Sequence, residues 1–168
     1  MLIAVLSAQA QTASGPGVSV APVQTVTVQP GKKATVKLTF HVNNGFHINS
    51  NQPTSELLIP TTVKVSLPAE MLIGKFAYPP GQEFRLPAMP EEKLNVYSGT
   101  FQVSGMVTTT ESISPGTYRV HGELKYQACS DRQCFPPRTQ PFQFDVKVVR
   151  PVSHHYAPNP AQSPHVHG

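Results

Sequence analysis

The chain has 168 residues, of which 18 are proline and 11 are glycine, and only 13% are charged; a length of this order predicts one domain with flanking segments. The formal net charge is +4, yet the basic residues stand singly except for Lys32-Lys33. So mild and scattered an excess excludes the continuous basic stripe that is typical of nucleic-acid-binding proteins.

Residues 1–21 predict a signal-peptide remnant followed by a lead-in to the domain. Leu2–Leu6 resembles the end of the apolar region of an export signal, and Ala8–Ala10 fits a small-x-small cleavage site. No run approaches the ~18 apolar residues of a membrane-spanning helix. We therefore expect export to an oxidising compartment, where two free cysteines tend to oxidise.

From Val23 onwards, apolar and polar residues alternate with the period of two that marks half-buried β-strands. Turn signals such as Asn43–Gly45 and Ser114–Gly116 separate these segments. The pattern predicts an all-β fold, a β-sandwich of about eight strands spanning residues 22–149. The predicted strands include Val26–Val28, Val36–Val42, Phe46–Asn49, Thr62–Leu67, Phe101–Val103, Tyr118–Tyr126 and Phe142–Val146.

Two segments break the alternation. Residues 78–94 contain four prolines, so they cannot form a central strand and are predicted to be a long loop. This loop is either a functional lid or a solvated connection. Residues 150–168 are rich in proline and histidine and are predicted to be disordered. Weak metal binding by His154-His155 and by His165 with His167 is a less favoured alternative to a plain polar tail.

The chain has two cysteines, Cys129 and Cys134, which can pair with each other, with a partner protein or with a metal. A zinc site is disfavoured because it needs about four ligands. Strand parity predicts a hairpin in which Ser130–Gln133 connects the two cysteines, nearly opposite each other at an exposed end of the sheet. A disulfide there closes about six residues and contributes only about 2 kcal/mol. A structural bond and a redox-active bond both remain open.

The segments Tyr126–Cys129 and Cys134–Pro137 resemble the cysteine motif of the N-terminal periplasmic domain of the DsbD thiol:disulfide interchange proteins. Gly45–Gln52 resembles that domain's Gly-aromatic segment. Glu83-Phe84, followed by Val96–Gly99, resembles its cap loop and the next strand. The similarity covers about residues 20–149.

The resemblance implies an immunoglobulin-like β-sandwich with a long cap-like loop, located in the periplasm. Cys129 and Cys134 would cycle between dithiol and disulfide without a cofactor or metal, an activity of the protein-disulfide reductase type. Cys134 would be the attacking cysteine and Cys129 the resolving one. Phe84, next to Glu83, would be the cap residue that shields the disulfide, and Tyr126 belongs to the surroundings of the pair.

The partners implied by the resemblance are thioredoxin-like redox proteins fed by a membrane electron transporter. The acceptors would be periplasmic disulfide proteins, including disulfide isomerases and the thiols of cytochrome c maturation. The domain would act as a monomer, with no role for nucleic acid. No predicted helix N-terminus activates either thiol, so the pair is expected to exchange with a more reactive partner thiol.

The sequence departs from the family pattern at several positions. The cysteines enclose four residues, one fewer than in the best-known members. His47 and Asn49 stand where those members have aromatics beside the active cysteines. His47 could stabilise a thiolate or could simply occupy a strand end. Phe76 or Tyr78 is an alternative cap residue.

Two other functions fit less well. A secreted immunoglobulin-like binding module with a purely structural disulfide is compatible with the same strand pattern. A hydrolase is disfavoured because no Gly-x-Ser-x-Gly nucleophile motif is present.

Overall fold

The computed structural model describes residues 15–151, and the regular structure in that range consists of β-strands. The predicted signal-peptide remnant and the His-rich tail fall largely outside these residues. Twelve strands are present in the described range: β1 Val18–Val20, β2 Val26–Val28, β3 Lys33–Val42, β4 His47–Asn49, β5 Thr62–Ser66, β6 Met71–Ile73, β7 Gln82–Leu86, β8 Met89–Tyr97, β9 Thr100–Thr109, β10 Gly116–Tyr126, β11 Ala128–Cys129 and β12 Arg138–Val148.

The strands form three four-stranded sheets, with the orders β1-β3-β9-β6, β2-β12-β10-β5 and β11-β4-β8-β7. All pairings are antiparallel except that of β2 with β12, which is parallel. The first two sheets form the sandwich, and the third lies at the end where the cysteines are found. The predicted immunoglobulin-like β-sandwich is confirmed. Among residues 15–151, no helix has the length and apolar character needed to cross a membrane.

The core follows directly from the period-two pattern. In β3, Val36, Leu38, Phe40 and Val42 are all buried, whereas the intervening Lys37 and His41 are exposed. In the second sheet, β10 and β12 are paired over eleven positions. Here Gly122 lies under Phe142, and a Cβ added at Gly122 would stand 2.4 Å from the Phe142 ring. Glycine is therefore required at this point of close approach.

Four aromatic rings connect the three sheets through the core. Phe40 of β3 packs against Phe142 of β12 with ring centroids 5.8 Å apart, edge to face, which joins the two sheets of the sandwich. Phe40 also contacts Phe101 at 5.5 Å. Phe101 in turn stacks on Tyr97 of β8 at 4.6 Å. The third sheet is thus anchored on the sandwich by aromatic packing.

The structure differs from the sequence prediction at the proline-rich segment. Residues 82–97 form the β7–β8 hairpin rather than a long loop. The prolines are tolerated because Pro87 lies in the turn and Pro90 lies where the register shifts between Arg85 and Leu86, so neither must donate a ladder hydrogen bond. β7 is an edge strand, as expected for this segment, but β8, which begins within it, lies between β4 and β7, so the expectation holds for β7 alone.

The prediction also missed two short strands. β1 lies inside the segment predicted to be a lead-in, yet it pairs with β3 through Val18 and Val42. β6 adds to the other edge of the same sheet by pairing with β9. The domain therefore begins before residue 22, with more strands than the eight expected.

Candidate functional site

A glycine turn sets the start of β4, the strand that lies beside the cysteines. Gly45 has φ of 83°, a left-handed conformation that favours glycine. The amide of Phe46 donates a hydrogen bond to the carbonyl of Asn43 across this turn, at 3.2 Å. β4 then begins at His47, so the turn fixes which residue meets the cysteine segment.

The cysteine segment leaves the second sheet to join the third. β10 ends at Tyr126, Gln127 interrupts the ladder, and β11 pairs with β4 so that Cys129 lies directly opposite His47. The predicted hairpin is therefore only partly correct, because Cys134 forms a single isolated bridge with Cys129 and the return strand, β12, begins at Arg138.

Cys129 and Cys134 are joined by a disulfide bond, with their Cα atoms 3.9 Å apart. Backbone hydrogen bonds hold the loop on both sides of this bond: Ser130 donates to Gln133 and Phe135 donates to Ala128, each at 2.8 Å. Of the partners left open by the sequence, the structure shows the two cysteines paired with each other. Within residues 15–151, no group of three or more metal-ligating side chains comes together.

The two sulfur-bearing residues differ sharply in exposure. Cys129 is only 2% exposed, whereas Cys134 is exposed. Cys129, Leu94 and Val96 are buried on the third sheet but lie outside the main core cluster. An incoming group can therefore reach the disulfide at Cys134 and not at Cys129.

His47 is buried beside the disulfide, at 4% exposure. Its ring packs against that of Phe84, with centroids 4.2 Å apart and planes inclined by 36°. Its Nε2 atom is buried and has no hydrogen-bond partner. Burial lowers the pKa of His47, so the imidazole is neutral at pH 7.

Phe84 reaches His47 because the β7–β8 hairpin curls. Ile48 lies opposite Tyr97, so His47 comes level with the next residue of β8, whereas Phe84 lies opposite Leu94. Four residues of β8, or about 13 Å of strand, therefore separate the levels of His47 and Phe84. The contact between the His47 and Phe84 rings at 4.2 Å requires the hairpin to fold over this face of the sheet. Phe84 thereby covers the histidine that lies opposite Cys129.

Glu83 lies on the other face of β7, away from this contact. Its carboxylate forms ion pairs with Arg85 at 3.1 Å and with Lys93 at 3.5 Å, and all three side chains are exposed. The hydrogen bond from Arg85 is the largest cause that lowers the pKa of Glu83. Arg85 also donates to the carbonyl of Pro90 at 2.9 Å, so this cluster braces the hairpin.

Asn49 and Tyr126 are buried beside the site, and their hydrogen bonds hold its backbone in place. The side-chain amide of Asn49 donates to the carbonyl of Ile59 at 3.0 Å and to the side-chain oxygen of Gln127 at 3.4 Å, which ties β4 to the residue where the chain changes sheets. Tyr126 belongs to the main core, and its hydroxyl accepts a hydrogen bond from the amide of Val18 at 3.3 Å.

Two further aromatic residues flank the disulfide loop, and they were not named as site residues from the sequence. Phe46 and Phe135 meet edge to face at 5.8 Å, next to His47 and Cys134 in the chain. Because each is a sequence neighbour of a named site residue, their place in the site could have been predicted. The alternative cap residues lie elsewhere: Phe76 is packed over Gly105, and the Tyr78 hydroxyl accepts a hydrogen bond from the amide of Val63 at 2.8 Å.

The buried imidazole predicts a pH dependence of stability. The folded-state pKa of His47 lies below its ordinary value of 6.5. As the pH falls below 6.5 the unfolded chain therefore binds a proton that the folded protein does not, and the free energy of unfolding decreases until the folded pKa is reached. We expect the wild type to lose more stability between pH 7 and pH 5 than His47→Phe, as measured by urea unfolding.

The matched control is His121→Phe, which alters an exposed histidine on β10. It should follow the wild-type pH dependence. Equal acid sensitivity of the wild type and His47→Phe would contradict the assignment.

Comparison of the sequence with known protein families identifies the family of this chain. The family profile described as thiol:disulfide interchange protein DsbD, N-terminal, matches residues 18–146. The chain belongs to the DsbD N-terminal family. The motif resemblance is thereby confirmed, and the disulfide between Cys129 and Cys134 lies within the matched range. Thiol–disulfide interchange is the general chemistry of this family.

Solved structures to which this chain shows some similarity include DsbD and ScsB domains. The reduced DsbD N-terminal domain of Neisseria meningitidis has 20% identity and a TM-score of 0.44, over 74% of this chain and 85% of that one. The N-terminal periplasmic domain of ScsB from Proteus mirabilis has 10% identity and a TM-score of 0.46, over 73% of this chain and 44% of that one. A GAE domain of GGA2p from Saccharomyces cerevisiae reaches 11% identity and a TM-score of 0.46, over 82% and 96%. No curated protein sequence matches this chain.

Proposed function

We propose that this protein is a periplasmic electron-relay domain whose Cys129–Cys134 pair cycles between disulfide and dithiol. Electrons would come from a thioredoxin-like donor fed by a membrane electron transporter. They would pass to periplasmic disulfide proteins, including those of cytochrome c maturation. The observation that carries this proposal is the pairing of an exposed Cys134 with a buried Cys129 in a matched DsbD N-terminal domain.

The difference in exposure supports Cys134 as the attacking cysteine and Cys129 as the resolving one. A donor thiolate attacks the sulfur of Cys134, forms a mixed disulfide there and breaks the internal bond, so that Cys129 leaves with the electron pair. A second donor thiolate then attacks the donor's own sulfur in the mixed disulfide and releases Cys134 as a thiolate. In the reverse direction, Cys134 attacks the acceptor disulfide and Cys129 resolves the mixed disulfide.

The β7–β8 hairpin serves as the cap of this site. Phe84 covers His47, the residue opposite Cys129, and the ion pairs of Glu83 brace the hairpin on its outer face. A partner must move this hairpin to approach the buried side of the disulfide, whereas Cys134 stays exposed. The cap therefore limits which thiols complete the exchange.

The reduction potential of the pair tests the proposal. Structural disulfides of secreted proteins have potentials below about −300 mV, while exchanging pairs lie higher. We expect a value above −300 mV in equilibrium with glutathione, quantified by alkylation of the free thiols and mass spectrometry. A potential far below that value would identify a structural bond and end the relay proposal.

Removing the cap side chain should make the disulfide easier to reduce. Phe84→Ala deletes the ring that covers His47 and so opens the buried side of the bond, at Cys129, in addition to the exposed side at Cys134. Because exchange rates depend on access to each sulfur, we expect reduction by dithiothreitol to accelerate roughly threefold to tenfold. The measurement is the rate of thiol appearance under pseudo-first-order conditions. Met89→Ala, at the exposed end of the same hairpin, is the control and should leave the rate unchanged. An unaltered rate in Phe84→Ala would show that the ring is not a barrier.

A further inference from the structure

Among the described residues of the oxidised protein, one buried side-chain polar atom has no hydrogen-bond partner. That atom is Nε2 of His47. A buried nitrogen without a partner disfavours the state that contains it. The oxidised state is the one described, because Cys129 is in the disulfide and has no S–H group.

The ladder places the Cys129 side chain where it can supply that partner. Cys129 and His47 are directly opposed in the antiparallel pair of β11 and β4. Their side chains therefore leave the same face of the sheet, with Cβ atoms about 4.5–5.5 Å apart. The imidazole is held there by the Phe84 ring at 4.2 Å. When the disulfide is reduced, the Cys129 sulfur becomes a thiol that can donate a hydrogen bond.

We propose that Nε2 of His47 accepts a hydrogen bond from the Cys129 thiol in the reduced protein and takes its proton when Cys129 resolves a mixed disulfide. This inference rests on the proposed function. It assigns a base to the buried cysteine.

In the proposed step, one proton moves from Cys129 to His47, and one disulfide bond forms as another breaks. In the mixed disulfide between Cys134 and an acceptor, the Cys129 S–H proton passes to Nε2, giving an imidazolium and a thiolate. The thiolate attacks the Cys134 sulfur, so the Cys129–Cys134 bond forms and the bond to the acceptor breaks. The acceptor sulfur leaves with the electron pair as a thiolate. His47 then returns its proton to solvent and becomes neutral again.

The charged groups around His47 are few and face elsewhere. On the cysteine loop, Asp131 and Arg132 are exposed. On the hairpin, Glu83 is engaged by Arg85 and Lys93 on the outer face. These groups do not shift the pKa of His47, which is lowered by burial alone. A neutral imidazole at neutral pH is the form that can accept a proton.

The first test is the dithiol–disulfide equilibrium with glutathione. His47→Phe keeps an aromatic ring against Phe84 but removes the acceptor, so the reduced state loses its hydrogen bond and the oxidised state loses its unpartnered nitrogen. We expect the equilibrium to move about tenfold towards the disulfide, which corresponds to a potential about 30 mV more negative. An unchanged or less negative potential would overturn the proposal.

The second test follows the two thiols separately with 5,5′-dithiobis(2-nitrobenzoate). In the reduced protein, attack by Cys134 releases one nitrothiolate and resolution by Cys129 releases the second, so stopped-flow absorbance shows two phases. Between pH 6.5 and pH 8, the wild-type second phase should vary less than about threefold, because the base is already neutral. In His47→Phe it should rise about tenfold per pH unit, as expected for an unassisted thiol with a pKa near or above 8.5. Identical profiles would reject His47 as the base.

Two variants keep the test decisive. His47→Gln retains a hydrogen-bond acceptor that cannot titrate, so it should recover part of the potential but not the flat pH profile. It also replaces His47→Phe should that variant not fold. His121→Gln is the matched control and should behave as the wild type in both measurements. A missing first phase would instead refute the proposed function, because Cys134 would then be unreactive.

Discussion

Replacing Cys134 by serine is expected to abolish disulfide exchange, whereas Cys129→Ser should attack a partner and remain attached to it. The reason is the difference in exposure: an incoming disulfide can reach Cys134, while Cys129 is 2% exposed. The measurement is the yield of mixed disulfide on a non-reducing gel after each reduced variant is mixed with a single-cysteine thioredoxin-like protein whose remaining cysteine is activated as a disulfide with 2-nitro-5-thiobenzoate. Attack then expels nitrothiobenzoate, and no second partner thiol can release the complex. The yield should be near complete for Cys129→Ser and near zero for Cys134→Ser.

The opposite result, with Cys129 the more reactive thiol in its single-cysteine variant, would reverse the assigned roles. The double variant with both cysteines changed to serine serves as the control for folding. It should lose only about 2 kcal/mol of unfolding free energy, because the disulfide closes a short loop. A binding module with a structural disulfide would keep its partner after this double substitution, whereas a relay loses all exchange while its fold persists.

The largest loss of stability is expected from Phe40→Ala. Phe40 is fully buried and contacts Phe142 across the sandwich and Phe101 along its own sheet. Truncating a buried phenylalanine removes its transfer free energy and leaves a cavity, which together lower the unfolding free energy by about 3–5 kcal/mol. Denaturant unfolding monitored by tyrosine fluorescence or circular dichroism measures this difference.

Leu72→Ala is the matched control. Leu72 lies on the edge strand β6 and is 70% exposed, so its truncation should change the unfolding free energy by less than about 0.5 kcal/mol. A similar small change for Phe40→Ala would show that the aromatic contacts between the sheets are not needed for stability.

The fold was predictable wherever strands were long enough to show their period. β3 and β12 span ten and eleven residues, and each buries alternate apolar side chains, so the sequence pattern indicated both. β1 and β6 have three residues each, too few for alternation to be distinguished from chance. The β7–β8 hairpin was hidden because prolines usually exclude a strand, and its bulge and turn accommodate them only in three dimensions.

The site was predictable in its chemistry but less so in its geometry. The two cysteines and their motif identified the redox loop, and the bond between them is observed. The change of sheet at Gln127 was hidden because Ala128 continues the alternation of β10 in sequence while pairing with β4 in space. The contact between Phe84 and His47 likewise depends on the curl of a hairpin some forty residues away in the chain.

The long ladder next to the cysteine loop favours rapid closure of the Cys129–Cys134 disulfide. β10 and β12 are paired over eleven positions, and the Phe135 to Ala128 hydrogen bond continues this pairing past their ends. None of these contacts involves the sulfur atoms, so the two thiols stay neighbours after the bond has opened. Each thiol therefore sees the other at a high effective concentration. Ring closure should outpace capture by a second external thiol, which keeps mixed disulfides short-lived.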